Sequence, residues 1–287
     1  SCNGLLCVVI REFGVPFCNL PGSILVWNPA TGEFREITKT RRTSFCSKWD
    51  GNGFGFSATL NDFKIVQTYN ENAGQIRAVE VYSLNTGLWK ELELGCLKGR
   101  IFFPCDCVSA NGFICWFGME ERSYNRFIIS FDMAREVFTL IPLPPISSIT
   151  GVELTVYEDK VGIISLSKIG NYPNCLYCWI DLWVLEESVR SSSERWTWTK
   201  IFSSNRYSFE LRFPGIIWRN EIVIGSFGMF EEVIKSGGGE EEIDERNFCR
   251  YLINIITNEV KIVAIPSSFC YAFNHVESLV PIYSLKN

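Results

Sequence analysis

Histidine is almost missing from this 287-residue chain. It has one, His275, alongside three methionines and no Asn-X-Ser/Thr sequon among its many asparagines. Nucleophilic catalysis needs a nucleophile beside a base, and here the one imidazole lies in a segment that reads as a strand. A copper-dependent oxidase would need more than one histidine ligand, which argues against that route. No G-x-S-x-G elbow precedes a helix. Apolar runs stop at about strand length, too short to cross a bilayer as a helix, so no membrane partner is expected. Long amphipathic helical stretches are also absent; the best candidate, around Trp183 to Arg190, is short and breaks into Ser-Ser-Ser-Glu. Positive charge is not in excess: Lys and Arg number 27 against 32 Asp and Glu, for a net charge of −5. A nucleic-acid surface should be basic, so that partner is excluded, while a basic protein partner is permitted.

Aromatics (14%) and hydrophobics (47%) are plentiful and mark a globular chain. The twelve cysteines are scattered along strand-like segments (Cys7, Cys46, Cys96, Cys115, Cys249, Cys270), where a free thiol behaves as a small buried hydrophobe. A chain of this length does not need disulfide staples. With the missing sequons, this favours a reducing setting, cytoplasmic and extending to the nucleus. The first residue is Ser1, and the chain opens on SCNGLLCVVI, which reads as the second half of a hairpin; the expectation is an N-terminally incomplete sequence.

What dominates is a repeat. A strand–turn–strand pattern starts at Ile24 (ILVWNPATGEFREI), Val79 (VEVYSLNTGLWKEL), Ile128 (IISFDMAREVFTLI), Ile180 (IDLWVLEE…WTWTKI) and Tyr251 (YLINIITNEVKIVAI), at intervals of 55, 49, 52 and 71 residues. A period near fifty built of hairpins predicts an all-β, kelch-like β-propeller. Each period splits into an a–b and a c–d hairpin. The a–b turns fall at Asn3-Gly4, Asn61-Asp62, Asn111-Gly112, Glu158-Asp159 and Arg219-Asn220. The c–d turns fall at Ala30–Gly32, Asn85–Gly87, Met133–Arg135 and Thr257-Asn258, with a long fourth one from Glu186 to Glu194. Asn, Asp and Gly are the residues such tight turns demand. The tail, Phe273 to Leu285, supplies at least one more strand. The expected ring has six blades, one split or incomplete; five blades, with the tail replacing a missing first strand, is the alternative.

Connectivity places the a–b and c–d turns on one face. The b–c and blade-to-blade connections, which are the long ones, lie on the other. Loops on a rigid scaffold are where binding usually resides, so that face is expected to meet the partner. Arg41, Arg42, Trp49, Arg100, Phe102, Phe103, Arg122, Tyr124, Arg126, Tyr172, Tyr177, Arg206, Tyr207 and Arg212 lie in or beside these loops. Exposed aromatics and arginines are the usual interface anchors, and these are the candidate partner-binding residues. Trp27, Trp89, Trp183 and Trp198 recur at equivalent strands and read as blade packing.

Other chemistry is thin. Cys175 and Cys178 have the spacing of half a zinc site and Cys105 and Cys107 add two thiols, but a structural zinc needs four ligands; no metal or cofactor is expected. Gly51, Gly53 and Gly55 lead into a strand, not a helix, and lack a Walker lysine, so they read as close backbone packing. Glu158-Asp159 sits on a turn and Glu240–Glu242 in an acidic loop (Lys235 to Glu245) that reads as a solvated insertion; neither suggests a buried catalytic acid. No catalytic residue is assigned. A glycan- or small-molecule-binding propeller is the second reading, and a catalytic one the third.

CNGLLC, WNPATGEF and GFGF…DFKIV occur in that order, followed by VEVYSLNTGLWKEL, CVSANGFICWFG, IISFDMAREVF, IDLWVL and the closing VESLV. Together they resemble the F-box-associated domain of plant F-box proteins, over essentially all of residues 1–287. Within that family the overall similarity is greatest to S-locus F-box and S-locus F-box-like proteins. The resemblance implies a plan in which an upstream F-box binds a Skp-type adaptor and, through it, a cullin ubiquitin ligase, while the propeller selects the protein to be ubiquitinated. No F-box helices precede CNGLLC, so this chain is expected to bind a target without recruiting the ligase. In the S-locus group the implied target is a basic, ribonuclease-like protein of self-incompatibility.

Overall fold

The two-residue turns read from the sequence at Asn3-Gly4, Asn111-Gly112, Glu158-Asp159 and Arg219-Asn220 close tight antiparallel hairpins, because residues that tolerate positive φ stand where the chain must reverse. Asn111 and Gly112 have φ of 46° and 80°, and Glu158 and Asp159 have 47° and 57°, the left-handed pair that two-residue hairpin turns require. The computed structural model describes residues 2–9, 23–38, 51–70, 75–120, 123, 125–146, 151–169, 177–187, 196–207, 217–226, 248–265, 278, 279 and 282.

The described strands form five antiparallel sheets, each a simple meander in chain order. The first has β1 (Leu6–Val9), β2 (Ser23–Trp27) and β3 (Phe34–Thr38), with Cys2 bridged to Leu5 beyond it. The second has β4 (Asn52–Ser57), β5 (Asp62–Asn70), β6 (Ile76–Ser83) and β7 (Leu88–Leu92). The third has β8 (Arg100–Ala110), β9 (Phe113–Glu120), β10 (Arg126–Asp132) and β11 (Val137–Pro142). The fourth has β12 (Gly151–Tyr157), β13 (Lys160–Ile169), β14 (Tyr177–Glu187) and β15 (Trp196–Ser203). The fifth has β16 (Ile217–Trp218), β17 (Glu221–Ser226), β18 (Phe248–Asn254) and β19 (Val260–Ile265). A 3-10 turn, Gly95–Leu97, precedes β8.

The chain divides into two compact units, residues 1–143 with 275–287, and residues 144–274. In the first unit, one core lies between the first two sheets (Leu5, Ile24, Val26, Phe63, Ile65, Tyr82) and another between the second and third (Val66, Val81, Ile114, Trp116, Ile129, Phe131). The second unit has its own core of Ile164, Leu166, Ile180, Leu182, Ile222 and Ile224 between its two sheets. Gly53 and Gly55 lie on β4, as the strand reading required. A Cβ on Gly53 would collide with the Trp116 indole, and one on Gly55 with Met133 and Ser109.

The c–d turns share one device in four of the five sheets. A short polar side chain at the end of the strand that enters the turn accepts backbone N–H bonds from it, and the residue four positions on is left-handed. Asn28 Oδ1 caps Ala30 N at 2.9 Å, Asp132 Oδ1 caps Ala134 N and Arg135 N at 2.9 and 3.0 Å, and Asn254 Oδ1 caps Ile256 N and Thr257 N at 2.9 Å. Ser83 Oγ does the same for Thr86 N at 3.2 Å. Gly32, Gly87, Glu136 and Asn258 then take φ of 73°, 70°, 55° and 61°, each donating its N–H back to the capping residue's carbonyl. These are Asx- and Ser-type turns, in which the side chain stands in for a backbone acceptor.

One reading from the sequence shifts. The second a–b turn spans 58–61, not Asn61-Asp62: Asp62 already pairs with Ser57, and its carboxylate holds Ser83 Oγ and Asn85 N. Trp183 lies within β14, where Ile163 and Lys200 pair with it, as its strand reading expects; residues 188–195 lie outside the described residues. The described residues form five sheets. In the tail, Ser278 O accepts Asn28 Nδ2 at 2.9 Å, the Ile282 N–H donates to Glu33 Oε2 at 2.9 Å, and Ile282 is buried in the core of the first sheet. Asn28 therefore serves both the turn and the tail. Asn28→Ala is expected to cost about 1–2 kcal/mol, and Asn28→Asp more, since it keeps the cap but sets a buried carboxylate oxygen against the Ser278 carbonyl. Urea titration of both variants checks the order.

Candidate functional site

Strand ends, not strand centres, carry the candidate residues. Within each sheet the a–b and c–d turns are 2 to 8 residues long, whereas the connections at the other end run from 5 to 21 residues. Five candidates with described side chains lie at these long-connection ends: Arg100 and Arg126 on the third sheet, and Tyr177, Arg206 and Tyr207 on the fourth.

On the third sheet, Arg100 faces Glu120 across the β8–β9 ladder and ion-pairs with it, while its guanidinium lies 5.5 Å from the centre of the Phe127 ring. Hydrogen bonds from Ser123 and Arg100 hold the Glu120 carboxyl below its ordinary pKa. Arg100 is thus committed to its own sheet. Arg126 begins β10 and is exposed. Phe102 and Phe103 lie on β8 opposite Gly118 and Phe117, their side chains outside what is described. Arg41, Arg42, Trp49, Arg122, Tyr124, Tyr172 and Arg212 lie outside the described residues.

On the fourth sheet, Tyr177 opens β14, is 46% exposed and pairs with Ile169, 42% exposed, at the end of β13. Arg206 is exposed, and its guanidinium sits 5.6 Å from the centre of the Trp179 ring. Tyr207 corrects the expectation of an exposed anchor. It exchanges two backbone hydrogen bonds with Cys178, 2.9 and 2.8 Å, and its ring enters the core of this unit, 8% exposed. Burial raises its phenol pKa. Alternation along β14 explains the split: Cys178 and Tyr207 share the core side, while Tyr177, Trp179 and Arg206 take the other. Ile169 and Trp179 were not among the sequence candidates. Both read as ordinary strand residues; their position one and three places from a connection was the available signal.

Chemistry-bearing groups do not converge elsewhere among the described residues, where no three His, Cys, Asp or Glu residues cluster. Cys178 is buried and Cys107 exposed, and Cys175 lies outside the described residues. The buried Cys115 thiol is pushed up to about 12 by desolvation. Each described carboxyl group with a shifted pKa is shifted down by neighbouring donors: Glu120, Glu136 and Glu186.

A repeated four-stranded antiparallel sheet with short turns at one end and long connections at the other defines a β-propeller type of domain, a scaffold that presents loops. Residues 1–282 match the F-box associated β-propeller domain, and the chain belongs to that family. It is similar to a probable F-box protein of Arabidopsis thaliana, 24% identical over 275 residues, which cover 91% of this chain and 60% of that protein. A putative F-box/kelch-repeat protein of the same plant is 26% identical over 226 residues, 72% of this chain and 48% of that protein. The chain thus spans about half of the length of the curated relatives it matches. The β-propeller domain of the Trilobed protease from Pyrococcus furiosus aligns with 92% of this chain and 68% of its own, at 13% identity and a TM-score of 0.46.

Proposed function

We propose that this domain is the target-recognition part of an F-box protein in a Skp–cullin–F-box ubiquitin ligase, non-enzymatic itself and acting in the cytoplasm and nucleus. One observation carries the reading: the family match runs over residues 1–282, and the relatives that align over most of the chain are named as F-box proteins. The geometry supports it, since exposed Tyr177, Arg126 and Arg206 stand at the ends of strands whose interiors are packed. Such residues are the usual anchors of protein interfaces. The adaptor and the cullin would be engaged only through an F-box upstream of this domain.

A finer proposal concerns the target. The resemblance to S-locus F-box proteins and the net charge of −5 favour a basic, ribonuclease-like protein of self-incompatibility, drawn in by long-range attraction.

The test uses the full-length protein in plant cells. Combined Arg126→Ala, Tyr177→Ala and Arg206→Ala substitutions should leave co-precipitation of the Skp-type adaptor unchanged while target ubiquitination falls. Equal loss from substitutions at Lys160 and Asp159, on the short-turn end, would overturn the reading. Salt-sensitive binding of purified S-locus ribonucleases tests the finer proposal.

A further inference from the structure

We propose that the Trp179–Arg206 stack and the exposed Ile169–Tyr177 pair beside it form the anchor site for an acidic segment of the target, a carboxylate flanked by an aromatic or aliphatic side chain. This rests on the target-recognition reading above and names the chemistry recognised at this end of the fourth sheet.

Pre-organisation is the first support. Residues 204–207 are fastened to the start of β14 before any partner arrives. Ser204 N donates to Ile180 O at 2.8 Å, Ile180 N to Ser204 Oγ at 2.9 Å, and Tyr207 and Cys178 exchange their backbone bonds. Asn205 N is held by Asn258 Oδ1 at 3.2 Å. Arg206 sits inside this clamp with its guanidinium against the Trp179 indole. A stacked guanidinium still presents its edge N–H groups, which match a carboxylate in two parallel hydrogen bonds. Fixing it in advance lowers the entropy lost on binding.

Charge is the second support. Arg100, Lys90, Lys160, Lys200 and Lys261 each meet a carboxylate of their own chain. Arg206 meets none among the described residues. A cation left without a counter-charge is locally complementary to an acidic group, and a basic target also carries carboxylates on its surface. The apolar pair is the third support. Ile169 and Tyr177 face each other across the β13–β14 ladder, on the same side of β14 as Trp179, and both are exposed. A partner seated there gains apolar burial directly beside the ion pair, which would strengthen as water leaves.

The experiment is selection of random twelve-residue peptides, displayed on phage, against the 287-residue chain, followed by affinity measurement of the enriched peptides. The expected peptides carry Asp or Glu within two residues of an aromatic or aliphatic residue. Arg206→Glu should weaken them by about 30-fold, as for an anchor residue, and Ile169→Ser with Tyr177→Ser should weaken them comparably. Arg206→Lys should recover part of the loss, and Lys160→Glu, at the short-turn end, should change nothing. Enriched peptides without acidic residues, or binding indifferent to Arg206→Glu, would overturn the assignment while target ubiquitination by the full-length protein still stood. Failure of the recognition reading would show separately, as ubiquitination unaffected by any substitution at the long-connection ends.

Discussion

Replacing Glu136 with alanine should destabilise the first unit by about 3–5 kcal/mol, the cost of leaving a buried charge without its partner. Lys64 lies on β5 with its side chain 4% exposed, and its ammonium reaches Glu136 Oε1 at 2.6 Å; Lys90 of β7 takes Oε2 at 2.5 Å. One carboxylate of the third sheet thus answers two cations of the second. The asymmetry makes the prediction specific. Lys64→Met removes the buried charge and leaves Glu136 with Lys90, so it should cost much less than Glu136→Ala. The backbone adds a second signature. Glu136 occupies the left-handed position of its turn, φ 55°, where glycine is unstrained. Glu136→Gly should therefore be less damaging than Glu136→Ala by about 1 kcal/mol. Acidification gives a third. Burial alone would raise the Glu136 pKa, but the hydrogen bonds and charges of Lys64 and Lys90 outweigh it and hold it below the ordinary 4.5. A depressed carboxylate contributes stability that is complete above its unfolded pKa and lost as pH falls through the folded value. Wild-type stability should fall more steeply than that of Glu136→Ala as pH drops below 4.5. Parallel urea midpoints across that range, without divergence, would refute the clamp.

The same turn shows where sequence reading reaches and where it stops. Its existence was legible, because the residues around Met133 to Arg135 interrupt a strand pattern at the repeat's period. Which residue would turn left-handed was not: Gly32, Gly87 and Asn258 announce themselves, whereas Glu136 is held there by partners 72 and 46 residues away. Gly53 and Gly55 were legible as close packing, but the indole that fills the space beside Gly53 comes from another repeat. At the candidate site, connectivity was enough to say which strand ends bear long connections. It could not tell Tyr177 from Tyr207. Both flank a loop and both are tyrosines; the pleat turns one outward and the other, through its pairing with Cys178, into the core. Arg100 and Arg206 read alike for the same reason. Only the neighbours separate them, Glu120 neutralising the first and Trp179 stacking on the second.

A double-mutant cycle between Gly53 and Trp116 should show strong coupling. The Trp116 side chain is fully buried between the second and third sheets, with Nε1 3.4 Å from Asn52 O, and its ring occupies the space a Gly53 side chain would need. Gly53→Ala alone should cost about 1–3 kcal/mol, because a methyl group enters a filled core. Trp116→Ala should cost about 3–5 kcal/mol, a large part of the roughly 5–15 kcal/mol by which a domain is stable. Trp116→Phe shrinks the ring and makes room, so in its presence Gly53→Ala should become nearly neutral, a coupling of about 1–2 kcal/mol. Ile114, whose Cγ2 would lie 2.8 Å from the added Cβ, sets the limit on relief, and Ile114→Val should extend it. Additivity within about 0.5 kcal/mol would mean that the two sites do not share this space. The packing bears on recognition as well as stability. β9, which carries Trp116, ends at Glu120, the partner of Arg100. A wedge at Gly53 should therefore disturb the long-connection end of the third sheet while leaving the fourth sheet's Arg206 site intact, a difference that peptide binding by the Gly53→Ala protein would read directly.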